Sequence, residues 1–246
     1  MLKKIINFNR LLASKFINSM NNLFGPIDDY EVFFYKQIGQ EIEGKIVLEI
    51  GGTNRPLFAK NNDFKYIGLD IDKDFDSKDV YHEYYPQSCE KFNLLIQADV
   101  IYSKYLLEHV PNNYLTYSNI EKWLNENGTS VHLFPLAWHP FSVANRLVGN
   151  TIAKILIPVL RPGTEAVTGY PAFYHLCDSI SLKRVSKNSN LDFKIKYFFG
   201  AEDYFGFFFP FAIVIHLFNR FCYLFNLNIF ASNAVVFASK RSVNES

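Results

Sequence analysis

The stretch Lys45–Phe58, KIVLEIGGTNRPLF, constrains the fold more than any other part of the chain. A β-branched apolar run ends in an acid, meets two adjacent glycines, and passes into a polar Thr-Asn-Arg-Pro segment. Strand, glycine turn and helix start, in that order, are how many α/β proteins cradle a nucleotide-like ligand, because backbone without a Cβ lets the ligand come close. Further strand-like runs fall at Lys65–Asp70, Val80–Tyr84, Ala98–Ser103 and Thr129–Pro135. Helical patterns fall at Tyr30–Gln40, Asn54–Asn62 and Leu115–Asn125, the last closed by Asn-Glu-Asn-Gly. Pro56 is tolerated in a first helical turn. Such alternation predicts a parallel sheet covered on both faces, with right-handed crossovers.

Beyond Pro135 the rhythm breaks. Pro140, Pro158, Pro162 and Pro171 punctuate a segment that reads as a lid or substrate wall. A helix near Ala172–Ser186, a strand at Asp192–Phe199 and a last strand at Asn233–Lys240 follow. The expected organisation is an N-terminal helix over 1–27 and one domain over 28–246, with insertions at about 136–171 and 200–231.

The second strand ends in Asp70, 21 positions after Glu49, with Asp72 beside it. In a doubly wound sheet these acids sit at the carboxyl ends of neighbouring strands, where ligands bind. A carboxylate there accepts hydrogen bonds from both hydroxyls of a ribose diol. A dinucleotide fold asks for the same acid. Its G-x-G-x-x-G pattern, however, would need glycines where Thr53 and Pro56 stand, which disfavours NAD.

Four segments in order, VLEIGGTNRP, YIGLDID, ADVIYSKYLLEHVPN and NGTSVHLFP, resemble the successive motifs of class I S-adenosylmethionine-dependent methyltransferases. The likeness is to the broad, methyltransferase type 11-like small-molecule group, whose fourth strand is followed by Leu-Glu-His-Val, here Leu107–Val110. It covers Lys45 to Pro135, and NAVVFASK fits that family's last strand. The resemblance implies an α/β fold, Rossmann-like and doubly wound. Its mostly parallel sheet would have about seven strands with an antiparallel last strand, plus a lid and a Phe-rich insertion.

The resemblance also implies roles. Glu49, Gly51 and Gly52 would form the loop beside the methionine portion of S-adenosyl-L-methionine. Asp70 would hold the ribose hydroxyls, Ile71 would flank the adenine, and His82 would lie near its amino group. Tyr102 and Ser103 would offer backbone carbonyls to the methionine amine, and Arg55 would meet the methionine carboxylate. Thr53 and Arg55 stand where the family has glycines, which leaves open a non-catalytic binding or scaffold protein on a degenerate methyltransferase fold. For a hydroxyl acceptor a base near neutral pKa is the first need, and the candidates are His139, His175 and Tyr170. No residue spacing suggests a metal site.

Composition narrows the partners. The 246 residues carry a net charge of +1, which gives no reason to expect nucleic acid. The three widely spaced cysteines read as reduced thiols of a cytoplasmic protein. Residues 1–27 hold Lys3, Lys4, Arg10 and Lys15 but no acid, and their apolar positions recur at helical spacing. That basic amphipathic helix either lies on an anionic membrane surface or packs on its own domain or a partner. Of the 25 phenylalanines, 12 fall within Phe193–Phe230. Tyr204–Phe218, at 15 residues and interrupted by Pro210, is too short to span a bilayer. It is either a helix packed over the sheet or at a homodimer interface, or a greasy surface for the membrane or a lipid-linked saccharide acceptor. Peripheral contact with the inner membrane face, through residues 1–24 and 204–225, accommodates both segments.

Overall fold

The computed structural model describes residues 2–40, 42–53, 55–93, 96–160, 170–200 and 204–241. Asn54 at the head of the expected first-turn helix, residues 161–169 of the lid and 201–203 of the second insertion lie outside the described residues.

The chain divides into two compact units. One holds 34–135, 173–196 and 234–246; the other holds 1–33, 136–172 and 197–233. The N-terminal helix and the two expected insertions thus group together, apart from most of the sheet.

Seven strands form one sheet: β1 (Ile46–Ile50), β2 (Lys65–Asp70), β3 (Glu83–Pro86), β4 (Ala98–Lys104), β5 (Leu124–Pro135), β6 (Leu191–Phe198) and β7 (Asn233–Lys240). Their spatial order is β3-β2-β1-β4-β5-β7-β6. The pairs β1–β2, β1–β4, β2–β3 and β4–β5 are parallel. The Ser130 hydroxyl reaches the Ala238 carbonyl and the Leu136 amide reaches Ser232, so β7 runs against β5. Strand order reverses between β1 and β4, the crevice where ligands of such sheets bind.

Burial explains why these runs are strands. Val47, Leu48, Glu49 and Ile50 are all buried, as a central parallel strand covered on both faces requires. Edge strand β3 is only half-buried. Helix α2 (Tyr30–Ile38) contributes fully buried Phe34, and its Ile38 carbonyl accepts from the Tyr102 hydroxyl at 2.8 Å. Buried Trp123 and Tyr117 come from α3 (Asn113–Trp123), capped by the Asn112 side chain on the Tyr114 amide.

Several expectations are corrected. Residues 55–62 form turns and bends, not a helix. The Leu57 amide goes to the Glu49 carboxylate and the Phe58 amide to the Tyr66 hydroxyl, so helical donors are already committed to sheet side chains. The third strand starts at Glu83 rather than Val80, in register with Ile67. Asn-Glu-Asn-Gly does not close a helix but lies inside β5, where Asn125 bonds Asp99 at 2.6 Å and the ladder shifts between Ala98 and Val100. The expected lid segment contains α4 (Pro140–Leu160), kinked at left-handed Gly149. The helix expected from Ala172 starts later, as α5 (Ser179–Asn188), where the Asp178 side chain caps the Ile180 and Ser181 amides.

Candidate functional site

The turn after β1 is shaped by what surrounds it. Gly51 has φ +80°, a left-handed conformation that favours glycine, and its amide bonds the Leu69 carbonyl at 2.9 Å. A Cβ on Gly52 would fall 2.2 Å from the Glu49 carboxyl carbon. The glycine pair is therefore required by the fold itself, before any ligand is considered.

Glu49 points beneath this turn rather than out of it. It is 2% exposed, and its carboxylate accepts from the Leu57 amide, the Tyr81 hydroxyl at 2.9 Å and the Tyr66 hydroxyl. Burial pushes its pKa up to about 7, against the lowering effect of those hydrogen bonds. Its place is support for the loop.

Asp70 occupies the carboxyl end of β2. One carboxylate oxygen accepts from the Thr53 hydroxyl at 3.0 Å and the other from the Asp72 amide at 3.2 Å. The oxygen on Thr53 also takes the Thr53 amide at 3.5 Å, so the Asp72-bonded oxygen keeps the freer acceptor capacity for a hydroxyl. Ile71 follows with its side chain 62% exposed, an apolar surface on which a flat ring can rest. Arg55 is exposed in the turn, where its amide bonds the Gly52 carbonyl.

His82 is displaced from its expected place. Its Nδ1 accepts from the Tyr66 amide, near the amino end of β2, while Asp70 lies at the other end, level with Pro86. The late start of β3 causes this: residues expected beside the adenine precede the strand.

Tyr102 and Ser103 are flanked by β1 on one side and β5 on the other. Their side chains turn inward, Tyr102 to Ile38 and Ser103 to His132 Nδ1 at 2.7 Å. The strand continues to Lys104, whose ammonium lies 2.9 Å from the Tyr35 hydroxyl and 5.1 Å from the ring centroid of Tyr105, itself at φ +54°. These aromatic and cationic groups at the switch point were not anticipated. A lysine directly after an apolar strand run was the available signal.

The candidate bases have different surroundings. His175 Nδ1 accepts from the Asn113 amide at 3.0 Å, so the neutral ring carries its proton on Nε2. Its loop is docked on the turn after β4, with the Phe173 and Tyr174 amides on the Glu108 carbonyl. His139 and Tyr170 belong to the other unit. His139 is 1% exposed, with Nδ1 accepting from the Phe141 amide and Nε2 3.0 Å from Asn219 Oδ1. Both ring nitrogens thus have partners within the fold. Tyr170 is exposed.

No family model matches this chain, and no curated protein matches it in sequence. Solved structures do. A nematode (Haemonchus contortus) phosphoethanolamine N-methyltransferase 2, in complex with S-adenosyl-L-methionine, matches 89% of this chain at 11% identity and a TM-score of 0.52. This chain spans about half, 54%, of that protein. An Archaeoglobus fulgidus S-adenosylmethionine-dependent methyltransferase matches at 16% identity and a TM-score of 0.53, over 85% of this chain and 92% of its own. The Streptomyces coelicolor geranyl diphosphate C-methyltransferase matches at 10% identity and 0.52, over 85% and 78%. The fold is that of the class I S-adenosylmethionine-dependent methyltransferases. Among the described residues no group of His, Cys, Asp or Glu is arranged to hold a metal.

Proposed function

We propose that the protein is an S-adenosylmethionine-dependent methyltransferase acting on a small-molecule acceptor. The observation that carries this reading is Asp70, held by Thr53 beside the glycine turn, with acceptor capacity left for a ribose diol. The residues present fit the cofactor: a tight left-handed turn at Gly51, a diol-binding carboxylate, and exposed Ile71 for a flat base. When bound, S-adenosylmethionine supplies a methyl group on a sulfonium, a leaving group already activated. What remains for the chain is orientation and exclusion of water. Asp70 would orient the cofactor through its ribose and Arg55 would meet its carboxylate, while Glu49 holds the loop from below. His175, whose Nδ1 accepts from Asn113, would donate from Nε2 to an acceptor rather than take its proton.

For the acceptor we favour a hydroxyl of a saccharide carried on a lipid, delivered at the inner membrane face. The support is the exposed apolar surface over residues 1–24 and 204–225. The same fold in the Streptomyces enzyme takes geranyl diphosphate, an isoprenoid with an anionic head. The departures at Thr53 and Arg55 favour a second reading, a scaffold that no longer binds the cofactor. Calorimetry with S-adenosylmethionine separates the two: the wild type should bind and Asp70→Ala should lose most of that affinity. Absence of heat from the wild type would leave only the scaffold.

A further inference from the structure

Helix α6 (Phe209–Leu224) is turned inside out. Its buried positions, Ala212, His216, Asn219 and Cys222, include the polar groups, while Phe211, Val214, Leu217, Phe221 and Leu224 recur at spacings of three and four and are 48–72% exposed. A helix of a water-facing protein does the opposite, placing its apolar stripe against the core. The inward polar groups are bonded: Asn219 to His139, and His216 Nε2 to Arg220 Nε at 3.1 Å.

Helix α1 (Leu2–Phe24) packs beside it. Phe16 meets Phe209 and His216 edge-on, Asn9 accepts from the Phe209 amide, and Arg220 donates at 2.7 Å to both Asn21 and the Gly25 carbonyl. On α1 the positions Lys4, Phe8, Leu11 and Lys15 follow helical spacing and are all exposed, two cations around two large apolar side chains. Neither helix contains an acid.

We propose that α1 and α6 form one docking face for an anionic lipid leaflet, with the α6 stripe immersed among acyl chains and Lys4 and Lys15 at the phosphates. It rests on the membrane-delivered acceptor proposed above and gives that contact its surface and lipid charge. Charge selects the occupant: a second copy seated face to face would bring acid-free cationic helices together, whereas anionic headgroups complement them. The helices lie on the bilayer rather than cross it; among the described residues no helix is long and apolar enough to span.

The test uses the full chain with vesicles of neutral phosphatidylcholine alone and with added phosphatidylglycerol. Binding should be at least ~10-fold tighter to the anionic vesicles and weaken with salt. The triple variant Phe211→Ser, Leu217→Ser, Phe221→Ser should lose binding to both, and Lys4→Glu with Lys15→Glu should lose the preference for anionic lipid. All five side chains are exposed, so unchanged melting is the check on folding. Equal binding to both vesicle types, or no binding, overturns the proposal. So does a triple variant that turns a dimer into a monomer yet still binds vesicles. Calorimetry with S-adenosylmethionine on the same samples keeps this failure distinct from failure of the methyltransferase reading, since Asp70 lies in the other unit.

Discussion

Thr53 stands where the methyltransferase motif carries its second glycine, and there its hydroxyl bonds the Asp70 carboxylate at 3.0 Å while the residue is 7% exposed. The substitution thus exchanges backbone freedom for a fixed acid. A carboxylate pinned by a neighbour loses less rotamer freedom when a diol arrives. Thr53→Val keeps the shape and removes the donor. A hydrogen bond to a charged group is worth about 1.5–3 kcal/mol, so cofactor affinity should fall about 10- to 150-fold. Thr53→Ser should restore most of it, since the hydroxyl returns. Calorimetric affinities of the three proteins check this, and equal Kd values for wild type and Thr53→Val would show that the acid needs no such support.

Among the elements, the central strands were legible and the connections were not. The runs at 46–50, 65–70, 98–104 and 233–240 are largely apolar and mostly buried, so apolar pattern alone marks them. The turn at 55–62 was misread because its donors are claimed by Glu49 and Tyr66, partners distant in sequence or on another strand. Which residue faces Asp70 is set by strand register with β2, invisible in one sequence, and there it is Pro86 rather than His82. Glycine and acid placement in the site was readable, whereas the Thr53–Asp70 bond and the tyrosines around Lys104 needed the fold. His139 shows the same limit, since only α6 reveals its partner. His139→Ala should cost about 1–3 kcal/mol, because Asn219 then loses a buried partner. A urea-unfolding midpoint measures that loss. The surviving folded variant should bind S-adenosylmethionine as the wild type does; a large drop in cofactor affinity with unchanged stability would restore His139 to the site.

For the whole molecule, three buried groups set how stability varies with pH. His132 is fully buried, its Nε2 has no hydrogen-bond partner among the described residues, and burial lowers its pKa from 6.5 to about 3. The unfolded chain takes up a proton below 6.5 that the folded protein refuses, so stability from this group is complete above 6.5 and falls toward 3. Glu49 and Glu108 behave oppositely, because burial raises them from 4.5 to about 7 and about 8. The folded protein keeps protons that the unfolded chain has released, so their contributions are complete below 4.5 and decline as pH rises through those values. Each titrating group contributes a slope of about 1.4 kcal/mol per pH unit within its window. Between 4.5 and 6.5 the two directions compete; above 6.5 only the carboxyl losses remain. The urea midpoint should therefore fall between pH 6.5 and 8, a range in which most proteins are near their maximum. Glu108 dominates the upper part of that fall, and its Oε2 is buried with no hydrogen-bond partner among the described residues. Glu108→Gln keeps a neutral polar group there and should flatten the midpoint from pH 7 to 8. An unchanged slope in that variant would mean that Glu108 is already ionised in the folded state and that another group titrates.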